Sequence, residues 1–254
     1  MSKGCYDWNV AVITGGGGGL GKALAKSLIK KGKKVILMGR TEANLIETAK
    51  EIGAVDHHVL DVSQLDTISS SVERLFDKHP EIDCLINNAG VQKPLNFAEP
   101  DSVKDSDVLS EINTNITGLV SLTTAFLKHF TKPTCVQNVS SGLAFVPIQG
   151  CPVYCATKAF VHSFTLTLRH QLRKSNIIEI IPPLVESNLH RDHSNADDFT
   201  KEKMPYALTQ DEFIADIEAG WDKGLDEVAA GTAAGRAETW RKAFGATFNQ
   251  MNPQ

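Results

Sequence analysis

A short apolar segment, a run of five glycines and a leucine-periodic segment follow one another near the start of the chain. Residues 10–13 have the pattern of a buried strand, residues 15–19 are all glycine, and Leu20, Leu24 and Leu28 recur at helical spacing. Glycines between a strand and a helix let backbone N–H groups approach a phosphate, and the helix N-terminus supplies positive potential. The chain is therefore predicted to begin with a β–turn–α unit that binds the pyrophosphate of a dinucleotide.

Two glycine spacings fit this turn. The common fingerprint G-x-G-x-x-G fits residues 16–21, and the spacing T-G-x-x-x-G-x-G fits residues 14–21. A P-loop is excluded because no Gly-Lys-Ser/Thr triplet follows the glycines. The glycine run alone is also compatible with a flexible loop, so the assignment depends on the strand and the helix beside it.

Strand-like and helix-like segments alternate along the rest of the chain. Further strands are predicted at 35–38, 58–60, 82–86, 135–139 and 177–181, long helices at about 102–130 and 152–173, and a last edge strand and helix at 222–231 and 233–250. This alternation predicts an α/β fold with one Rossmann-type, doubly wound parallel sheet and helices on both faces. Because the 254 residues contain no evident linker or repeat, we expect a single domain over residues 1–254.

The composition excludes several classes of function. A net charge of -4 gives no basic excess for nucleic acid or an anionic membrane surface. We therefore expect no nucleic-acid or membrane partner. No apolar run is long enough to span a membrane and the N-terminus lacks a signal-peptide core, so we expect a cytoplasmic protein. The five cysteines form no C-x-x-C pair, and Cys151, Cys155 and His162 lack further ligands, so no metal is predicted.

Tyr154 is the one tyrosine that has a lysine, Lys158, four residues on. In a helix these two side chains lie on the same face, and a nearby ammonium lowers the pKa of a phenol toward neutrality, as an acid/base catalyst requires. Ser141, upstream of both, could hydrogen-bond the carbonyl oxygen that the tyrosine protonates. By itself the pattern is also compatible with a half-buried tyrosine and a solvated lysine.

Small and polar residues collect at the predicted carboxyl ends of the strands, where parallel sheets bind ligands. They lie at 14–21, 39–40, 61, 87–90, 140–141 and 182–187. Where an acidic residue would hold a free ribose 2′-hydroxyl, the chain has Gly39 followed by Arg40. A guanidinium favours a 2′-phosphate, so NADP(H) is the preferred cofactor and NAD(H) is possible. A solvated surface arginine is the alternative interpretation of Arg40.

Together, and in this order over nearly the whole chain, these motifs resemble those of the short-chain dehydrogenase/reductase family. The segments Ser-Ser-Gly-Leu-Ala-Phe-Val-Pro, Tyr-Cys-Ala-Thr-Lys-Ala and Pro-Pro-Leu-Val further resemble the DltE-like oxidoreductase branch. The resemblance implies hydride transfer between a nicotinamide and a carbonyl carbon, with Tyr154 exchanging the proton. Lys158 would lower the pKa of the tyrosine and bond the nicotinamide ribose, and Ser141 would orient the carbonyl. Asn115 would anchor a water, and is chosen over Asn113 because Gly118 follows it at the family's spacing.

The resemblance also implies a set of cofactor-binding residues. Asp61 matches the acid that contacts the adenine, while Pro183 and Ser187 replace a glycine and a threonine in the segment that holds the nicotinamide amide. The full set is Thr14, Gly15, Gly17, Gly19, Leu20, Gly21, Arg40, Asp61, Val62, Asn88, Ala89, Gly90, Tyr154, Lys158, Pro182, Val185 and Ser187.

The predicted substrate pocket is apolar and favours a neutral, hydrophobic carbonyl compound or alcohol. Its residues are Leu143, Phe145, Ile148, Cys151, Leu184, Leu189 and Tyr206. The polar segment 187–208 follows the sixth strand and is predicted to be a lid. His190 and His193 within it are interpreted as solvated loop residues, with contact to a substrate or a metal as the alternative.

Other interpretations stay open at this point. Imine or enone reduction, or a non-redox reaction, would use the same scaffold, and a dinucleotide-sensing regulator would bind the cofactor without turnover. The two long helices carry apolar residues beyond one stripe, so we expect a homodimer or homotetramer. A broad apolar face that serves only the core of a monomer is the alternative.

Overall fold

Strands and helices alternate throughout the computed structural model, which describes residues 7–131, 134–193 and 195–253. The strands are β1 (Val10–Thr14), β2 (Lys34–Gly39), β3 (Asp56–Val59), β4 (Cys84–Asn87), β5 (Cys135–Val139), β6 (Asn176–Ile181) and β7 (Glu227–Ala229). The α-helices are α1 (Gly19–Lys30), α2 (Glu42–Ile52), α3 (Leu65–Lys78), α4 (Asp105–Ile112), α5 (Leu119–His129), α6 (Pro152–Gln171), α7 (Gln210–Asp222) and α8 (Gly231–Met251).

The strands form one sheet in the order β3-β2-β1-β4-β5-β6-β7, and every neighbouring pair is parallel. One face carries α1, α2 and α7, whose buried residues Leu28, Leu45 and Phe213 share a core with β1 and β2. The other face carries α3 and α5 over the middle of the sheet and α6 over β5 and β6. The predicted doubly wound parallel sheet is confirmed, and its strand carboxyl ends lie along one edge.

The prediction of one continuous helix over 102–130 is wrong. The helical segment begins at Asp105 and is interrupted by a π-helical turn, Asn113–Gly118, between α4 and α5. Gly118 packs so closely on the loop after β3 that an added Cβ would lie 2.3 Å from the Val62 carbonyl oxygen. Asn115, in the middle of this turn, is buried. Close approach and a buried amide explain why a wider turn replaces a regular one here.

The prediction of an edge strand over 222–231 is correct in kind, but the strand is much shorter than predicted. Only Glu227–Ala229 is a strand, and Asp222 ends a helix that the apolar periodicity did not reveal. Thr209 and Glu212 form a capping box at the start of that helix. The Thr-x-x-Glu signature was therefore the available signal for α7. The predicted C-terminal helix is confirmed as α8, which begins two residues earlier than expected and ends one later.

A buried chain of amides and hydroxyls positions α6 on the sheet. Asn87 Nδ2 donates to Asn138 Oδ1 at 2.8 Å and to Thr123 Oγ1 at 3.0 Å, so β4 is joined to β5 and α5. Asn138 Nδ2 then donates to Thr165 Oγ1 of α6 at 3.0 Å. Because the chain is fully buried, its bonds fix the height of α6 above the strand ends.

Most of the apolar residues that suggested an oligomer belong to the core of the chain itself. Leu119, Leu122, Phe126 and Val161 are buried. Phe160 is 38% exposed and stacks on Phe164. Among the described residues, no helix is long and apolar enough to cross a membrane, and no group of three or more His, Cys, Asp or Glu side chains is placed to hold a metal. The homodimer or homotetramer stays a prediction.

Candidate active site

A cavity of about 1130 Å³ opens at the carboxyl ends of the strands. Its walls come from the turns after β1, β2, β3, β4, β5 and β6, together with residues of segment 187–208 and α8. Of the predicted cofactor-binding residues, sixteen line it: Thr14, Gly15, Gly17, Gly19, Leu20, Arg40, Asp61, Val62, Asn88, Ala89, Gly90, Tyr154, Lys158, Pro182, Val185 and Ser187. The sheet therefore brings together segments that are far apart in the sequence.

Gly21 is the predicted cofactor residue that does not line the cavity. It lies against the turn itself, where an added Cβ would be 2.3 Å from the Gly15 carbonyl oxygen. Gly15 and Gly19 have φ angles of 67° and 51°, which favour glycine, whereas Gly18 has open space around it. Gly16 is also tight, with an added Cβ 3.0 Å from Leu37. The left-handed conformations of Gly15 and Gly19 and the close contact at Gly21 nevertheless coincide with the spacing T-G-x-x-x-G-x-G and favour it.

The N-terminus of α1 has the properties that a pyrophosphate site requires. No side chain caps it and its first turn holds no acidic residue. The first bond of the helix runs from the Lys22 N–H to the Gly18 carbonyl, so the preceding N–H groups have no partner within the helix. These free donors, the helix dipole and the close backbone approach at Gly21 fit a dinucleotide diphosphate.

Thr14 and Asn88 join the end of β1 to the end of β4. The Thr14 hydroxyl accepts the N–H groups of Asn88 and Ala89, each at 2.9 Å. The Asn88 amide donates in return to the Thr14 carbonyl, also at 2.9 Å. The glycine turn and the turn after β4 are therefore held as one rigid wall of the cavity.

Arg40 follows β2 at the mouth of the cavity and its side chain is exposed. A side chain at the preceding Gly39 would begin 3.3 Å from Leu45 Cδ2, a tight contact. Asp61 accepts the N–H and hydroxyl of Ser63 on one carboxylate oxygen, at 3.0 and 2.8 Å. This end of the cavity thus presents a guanidinium at β2 and a carboxylate at β3.

Ser141, Tyr154 and Lys158 lie together in the wall of the cavity and all are buried. Ser141 Oγ accepts the Leu143 N–H at 3.1 Å, so its own O–H is available to another acceptor. Tyr154 and Lys158 share one face of α6, with the ammonium 5.6 Å from the centroid of the phenol ring. Lys158 Nζ donates to the Val139 carbonyl at 2.8 Å.

Burial raises the pKa of Tyr154 above its usual value, and the Cys151 thiol raises it further, while a hydrogen bond to Ser141 opposes the shift. Burial also lowers the pKa of Lys158 to about 8. The prediction that Lys158 lowers the pKa of the tyrosine is therefore wrong for this structure. The ammonium lies near the face of the ring and bonds the Val139 carbonyl, and desolvation of the phenol dominates. Tyr154 is protonated at neutral pH.

Asn115 does not line the cavity, and its role of anchoring a water stays a prediction. Its Oδ1 accepts the Val91 N–H at 2.9 Å, and its Nδ2 donates to the Val91 carbonyl at 2.9 Å and to Thr157 Oγ1 at 3.0 Å. The side chain is fully committed to these groups. It joins the turn after β4 to the helix that carries Tyr154 and Lys158.

Six of the seven predicted substrate-pocket residues line the cavity: Leu143, Ile148, Cys151, Leu184, Leu189 and Tyr206. Phe145 is the exception and its assignment is wrong. Its ring lies against His162 and Trp240, with centroid distances of 4.5 and 6.5 Å, and it packs on the core beside α8. The short 3₁₀ turn at Gly142–Ala144 directs the chain so that Phe145 faces away from the cavity.

Two cavity residues, Thr232 and Arg236, enter from α8 and were not assigned to the site from the sequence. Nothing in the sequence shows where α8 packs. Gln92, which follows the Asn-Asn-Ala-Gly motif and was expected to be a polar group near the substrate, lines the cavity and is buried. His190 and His193 also line the cavity, and His190 is 7% exposed, so the interpretation as a solvated loop histidine is wrong for it.

Segment 187–208 folds over one end of the cavity. Its ends are held together by bonds from the Glu186 N–H to the Leu208 carbonyl and from the Leu208 N–H to the Leu184 carbonyl, at 3.0 and 2.9 Å. Lys93, in the turn after β4, forms an ion pair of 2.7 Å with Asp192 of the segment. The segment is thus attached to two different walls of the cavity.

Comparisons with known proteins identify the same family that the sequence motifs resemble. A family model described as short chain dehydrogenase matches residues 9–198. The chain is 34% identical to the uncharacterized oxidoreductase DltE of Bacillus subtilis (strain 168), over 97% of both proteins. It is 33% identical to human 17-beta-hydroxysteroid dehydrogenase type 3, over 77% of this chain and 67% of that protein. A short-chain dehydrogenase from Sphingobium yanoikuyae, solved in complex with NADPH, has a TM-score of 0.80 and 22% identity, covering 97% of this chain and 96% of that one.

The family model spans most of the chain, and the Bacillus relative matches it almost from end to end. The parallel sheet has the same fold as a solved member of the family. The chain therefore belongs to the short-chain dehydrogenase/reductase family of NAD(P)-dependent oxidoreductases.

Proposed function

We propose that the protein transfers a hydride between NADP(H) and the carbonyl or secondary alcohol carbon of a hydrophobic small molecule. The observation that most supports this is the position of Ser141, Tyr154 and Lys158 in the same cavity as the uncapped N-terminus of α1. A dinucleotide held by the glycine turn and a carbonyl compound near Tyr154 would share one partly enclosed space. Such enclosure limits water at the reacting carbon.

Each of these three side chains has a role in moving or holding a proton. Tyr154 is a neutral phenol, and it donates its proton to the carbonyl oxygen in reduction and recovers it in oxidation. The O–H of Ser141, whose oxygen already accepts the Leu143 N–H, donates to the same oxygen and orients it. Lys158 uses one N–H on Val139 and has two more for the ribose hydroxyls of the cofactor. When bound, the nicotinamide supplies or accepts the hydride.

Arg40 is the residue that favours NADP(H) over NAD(H). It lines the cavity beside Gly39, where an acidic side chain would otherwise hold the ribose 2′-hydroxyl. Among the described residues, no carboxylate forms an ion pair with Arg40, so its guanidinium is available to a 2′-phosphate. The relative from Sphingobium was solved with NADPH. NAD(H) binding at lower affinity is compatible with this site.

The substrate end of the cavity is predominantly apolar, which favours a neutral aromatic or alicyclic compound. Leu143, Ile148, Leu184 and Leu189 supply its apolar surface. The human relative named for hydroxysteroids suggests that the family accommodates bulky substrates of this kind. Segment 187–208 is proposed to be the lid that excludes water once substrate is bound.

Reduction of acetophenone and α-tetralone by NADPH tests the proposed function. Wild-type protein is expected to oxidise NADPH in the presence of ketone. Tyr154→Phe should lower kcat by roughly 10²- to 10⁴-fold and leave the Kd of NADPH nearly unchanged, because it removes the proton donor and keeps the shape. Tyr206→Phe is the matched control, since it removes a second tyrosine hydroxyl of the cavity, here bonded to Met204.

Two alternatives predict different results in the same assay. A dinucleotide-sensing regulator would bind NADPH and reduce no ketone in the panel. Imine or enone reduction, or a non-redox reaction, would give activity only on substrates of that class. Undiminished ketone reduction by Tyr154→Phe would contradict the assigned role of the tyrosine.

A further inference from the structure

Two histidines of segment 187–208 converge on a single amide in the wall of the cavity. His190 Nδ1 lies 2.8 Å and His193 Nε2 lies 2.9 Å from Gln92 Oε1. A carbonyl oxygen only accepts, so both rings present an N–H to it. Gln92 and His190 are 4% and 7% exposed, so these bonds are made away from bulk water.

The contacts of His190 fix both its orientation and its protonation. Its ring stacks on Phe199 with centroids 4.2 Å apart and planes 17° apart. Burial, together with a smaller effect of the neighbouring His193, lowers the pKa of His190 to about 4. The ring is therefore neutral at physiological pH. With its proton on Nδ1, the other nitrogen, Nε2, carries a lone pair and can only accept a hydrogen bond.

The pair formed by Gln92 and His190 keeps unused hydrogen-bonding capacity, namely the amide N–H groups of Gln92 and one ring nitrogen of His190. Among the described residues, none hydrogen-bonds His190 Nε2 or Gln92 Nε2, and neither atom belongs to the polar atoms that are fully enclosed without a partner. Both residues line the cavity. The amide N–H groups of Gln92 and the lone pair of His190 are thus presented together by two bonded side chains that line the cavity.

The chemistry of this pair selects one kind of ligand group. A hydroxyl can accept from the Gln92 amide and donate to His190 Nε2 at the same time. A carboxylate or phosphate has no proton to donate to the lone pair, and an ammonium cannot accept from the amide. A purely apolar ligand would leave both buried polar groups without partners, which lowers its affinity.

We propose that Gln92 and His190 form a hydroxyl-recognition subsite. The substrate is then a hydrophobic compound that bears an uncharged hydroxyl group in addition to the reacting carbonyl. This inference rests on the proposed function and names its substrate class. It makes the two residues determinants of specificity, separate from Ser141, Tyr154 and Lys158.

The other role available to this cluster is to fasten the lid. The ion pair between Lys93 and Asp192 also fastens it, and neither of these charged groups hydrogen-bonds the side chain of Gln92. Loss of lid attachment should affect all substrates alike, whereas loss of the subsite should affect only those that carry a hydroxyl. The two roles are therefore separable by comparing substrates within one variant.

The test uses acetophenone and α-tetralone, each with its ring-hydroxylated isomers, in NADPH-dependent reduction. For wild-type protein, at least one hydroxylated isomer should have a kcat/KM roughly tenfold above that of its parent ketone. In His190→Phe, which keeps the stacked ring and loses both nitrogens, this ratio should fall to about one. In Asp192→Asn, which breaks only the ion pair of the lid, the ratio should stay at its wild-type value.

Each other outcome has a definite meaning. If wild-type protein reduces parent and hydroxylated ketones equally well, the subsite is refuted and the proposed function stands. A uniform loss in His190→Phe, with the ratio retained, refutes it in favour of lid attachment. If no ketone is reduced, the proposed function fails, and calorimetric titration of the same compounds decides the subsite. Tighter binding of a hydroxylated isomer by wild-type protein, lost in His190→Phe, supports it, and equal binding refutes it.

Discussion

The amide of Asn115 donates a hydrogen bond of 3.0 Å to the hydroxyl of Thr157, the residue that precedes Lys158. Its two other bonds, both 2.9 Å, hold the backbone N–H and carbonyl of Val91. One buried side chain therefore links the turn after β4, the π-helical turn and α6. Asn115 acts on the site through these groups and is a positioning residue.

Asn115→Ala should reduce both stability and turnover. It leaves the N–H and the carbonyl of Val91 without partners, and we expect a loss of about 2–4 kcal/mol in the free energy of unfolding. Asn113→Ala is the matched control, because Asn113 lies two residues away in the same π-helical turn and is only partly buried. Urea denaturation and kcat of the two variants make the comparison. Equal losses in both would contradict a specific role for Asn115.

Two glycines of the first turn should differ in their tolerance of substitution by alanine. An added Cβ at Gly21 would lie 2.3 Å from the Gly15 carbonyl oxygen, whereas an added Cβ at Gly18 would meet no atom beyond its chain neighbours within 4 Å, and Gly18 has an extended φ of 172°. Gly21→Ala should therefore lower Tm and weaken NADPH binding at least tenfold, since α1 must move away from the turn. Gly18→Ala should fold with nearly wild-type Tm. A tolerated Gly21→Ala would refute the close approach.

Arg40→Leu should weaken NADPH binding by roughly one to two orders of magnitude, because a charge-assisted bond to the 2′-phosphate is lost. NADH binding should change little. Adding Gly39→Asp should move the preference to NADH, although the new side chain must displace Leu45 by a few tenths of an ångström. Fluorescence titration with both dinucleotides measures this, with Arg173→Leu as control, since Arg173 bonds the carbonyls of His170 and Pro253. Equal affinities of wild-type protein for both dinucleotides would contradict the assignment.

Glu111 should make stability depend on pH near neutrality. Its carboxyl is buried, which raises its pKa from 4.5 to about 7, and one oxygen accepts the Lys93 N–H at 2.7 Å. The folded state retains this proton to higher pH than the unfolded state, so the contribution is fully present below about pH 4.5 and is lost as pH rises through about 7.

Glu111→Gln keeps the acceptor for Lys93 and removes the titration. As the pH rises from 4.5 to 8, wild-type protein loses this contribution and the variant does not. The free energy of unfolding of the variant minus that of wild-type protein should therefore increase by about 2–3 kcal/mol over this range. Asp107→Asn, at a partly exposed neighbour on the same helix, is the control for removal of a charge from this region. Denaturant unfolding across this pH range makes the measurement. Parallel pH profiles for wild-type and Glu111→Gln proteins would refute the shift.

The sequence allowed the sheet, its direction and the position of the cavity to be predicted, because apolar periodicity and strand-end motifs are local patterns. It also placed Ser141, Tyr154 and Lys158 at one site, since helical spacing and strand ends are enough for that. The pKa of Tyr154 was not predictable in this way, because it depends on how completely α6 buries the phenol. Phe145 was misplaced for a related reason, since its direction depends on the packing of α8.

Gln92 and His190 show the same limit in the substrate region. They are 98 residues apart, and their bond exists only because segment 187–208 folds back over the turn after β4. Neither residue belongs to a motif of its own. The sequence indicated that this segment was too long for a plain connector, but the partner of each polar side chain is a property of the folded chain.

The order of strands in the sheet also has a consequence for synthesis on the ribosome. From β1 onward, β4, β5, β6 and β7 are each added at the same outer edge, in the order in which they are translated. The glycine turn, Arg40 and Asp61 all precede β4, so the nucleotide half of the sheet can be assembled while later segments are still within the ribosome. In each intermediate the strand added last is an unpaired edge at the growing side of the sheet, and the next strand covers it. We therefore expect the emerging chain to form first the part of its dinucleotide site that comprises the glycine turn, Arg40 and Asp61, and to form its substrate-selecting surface last.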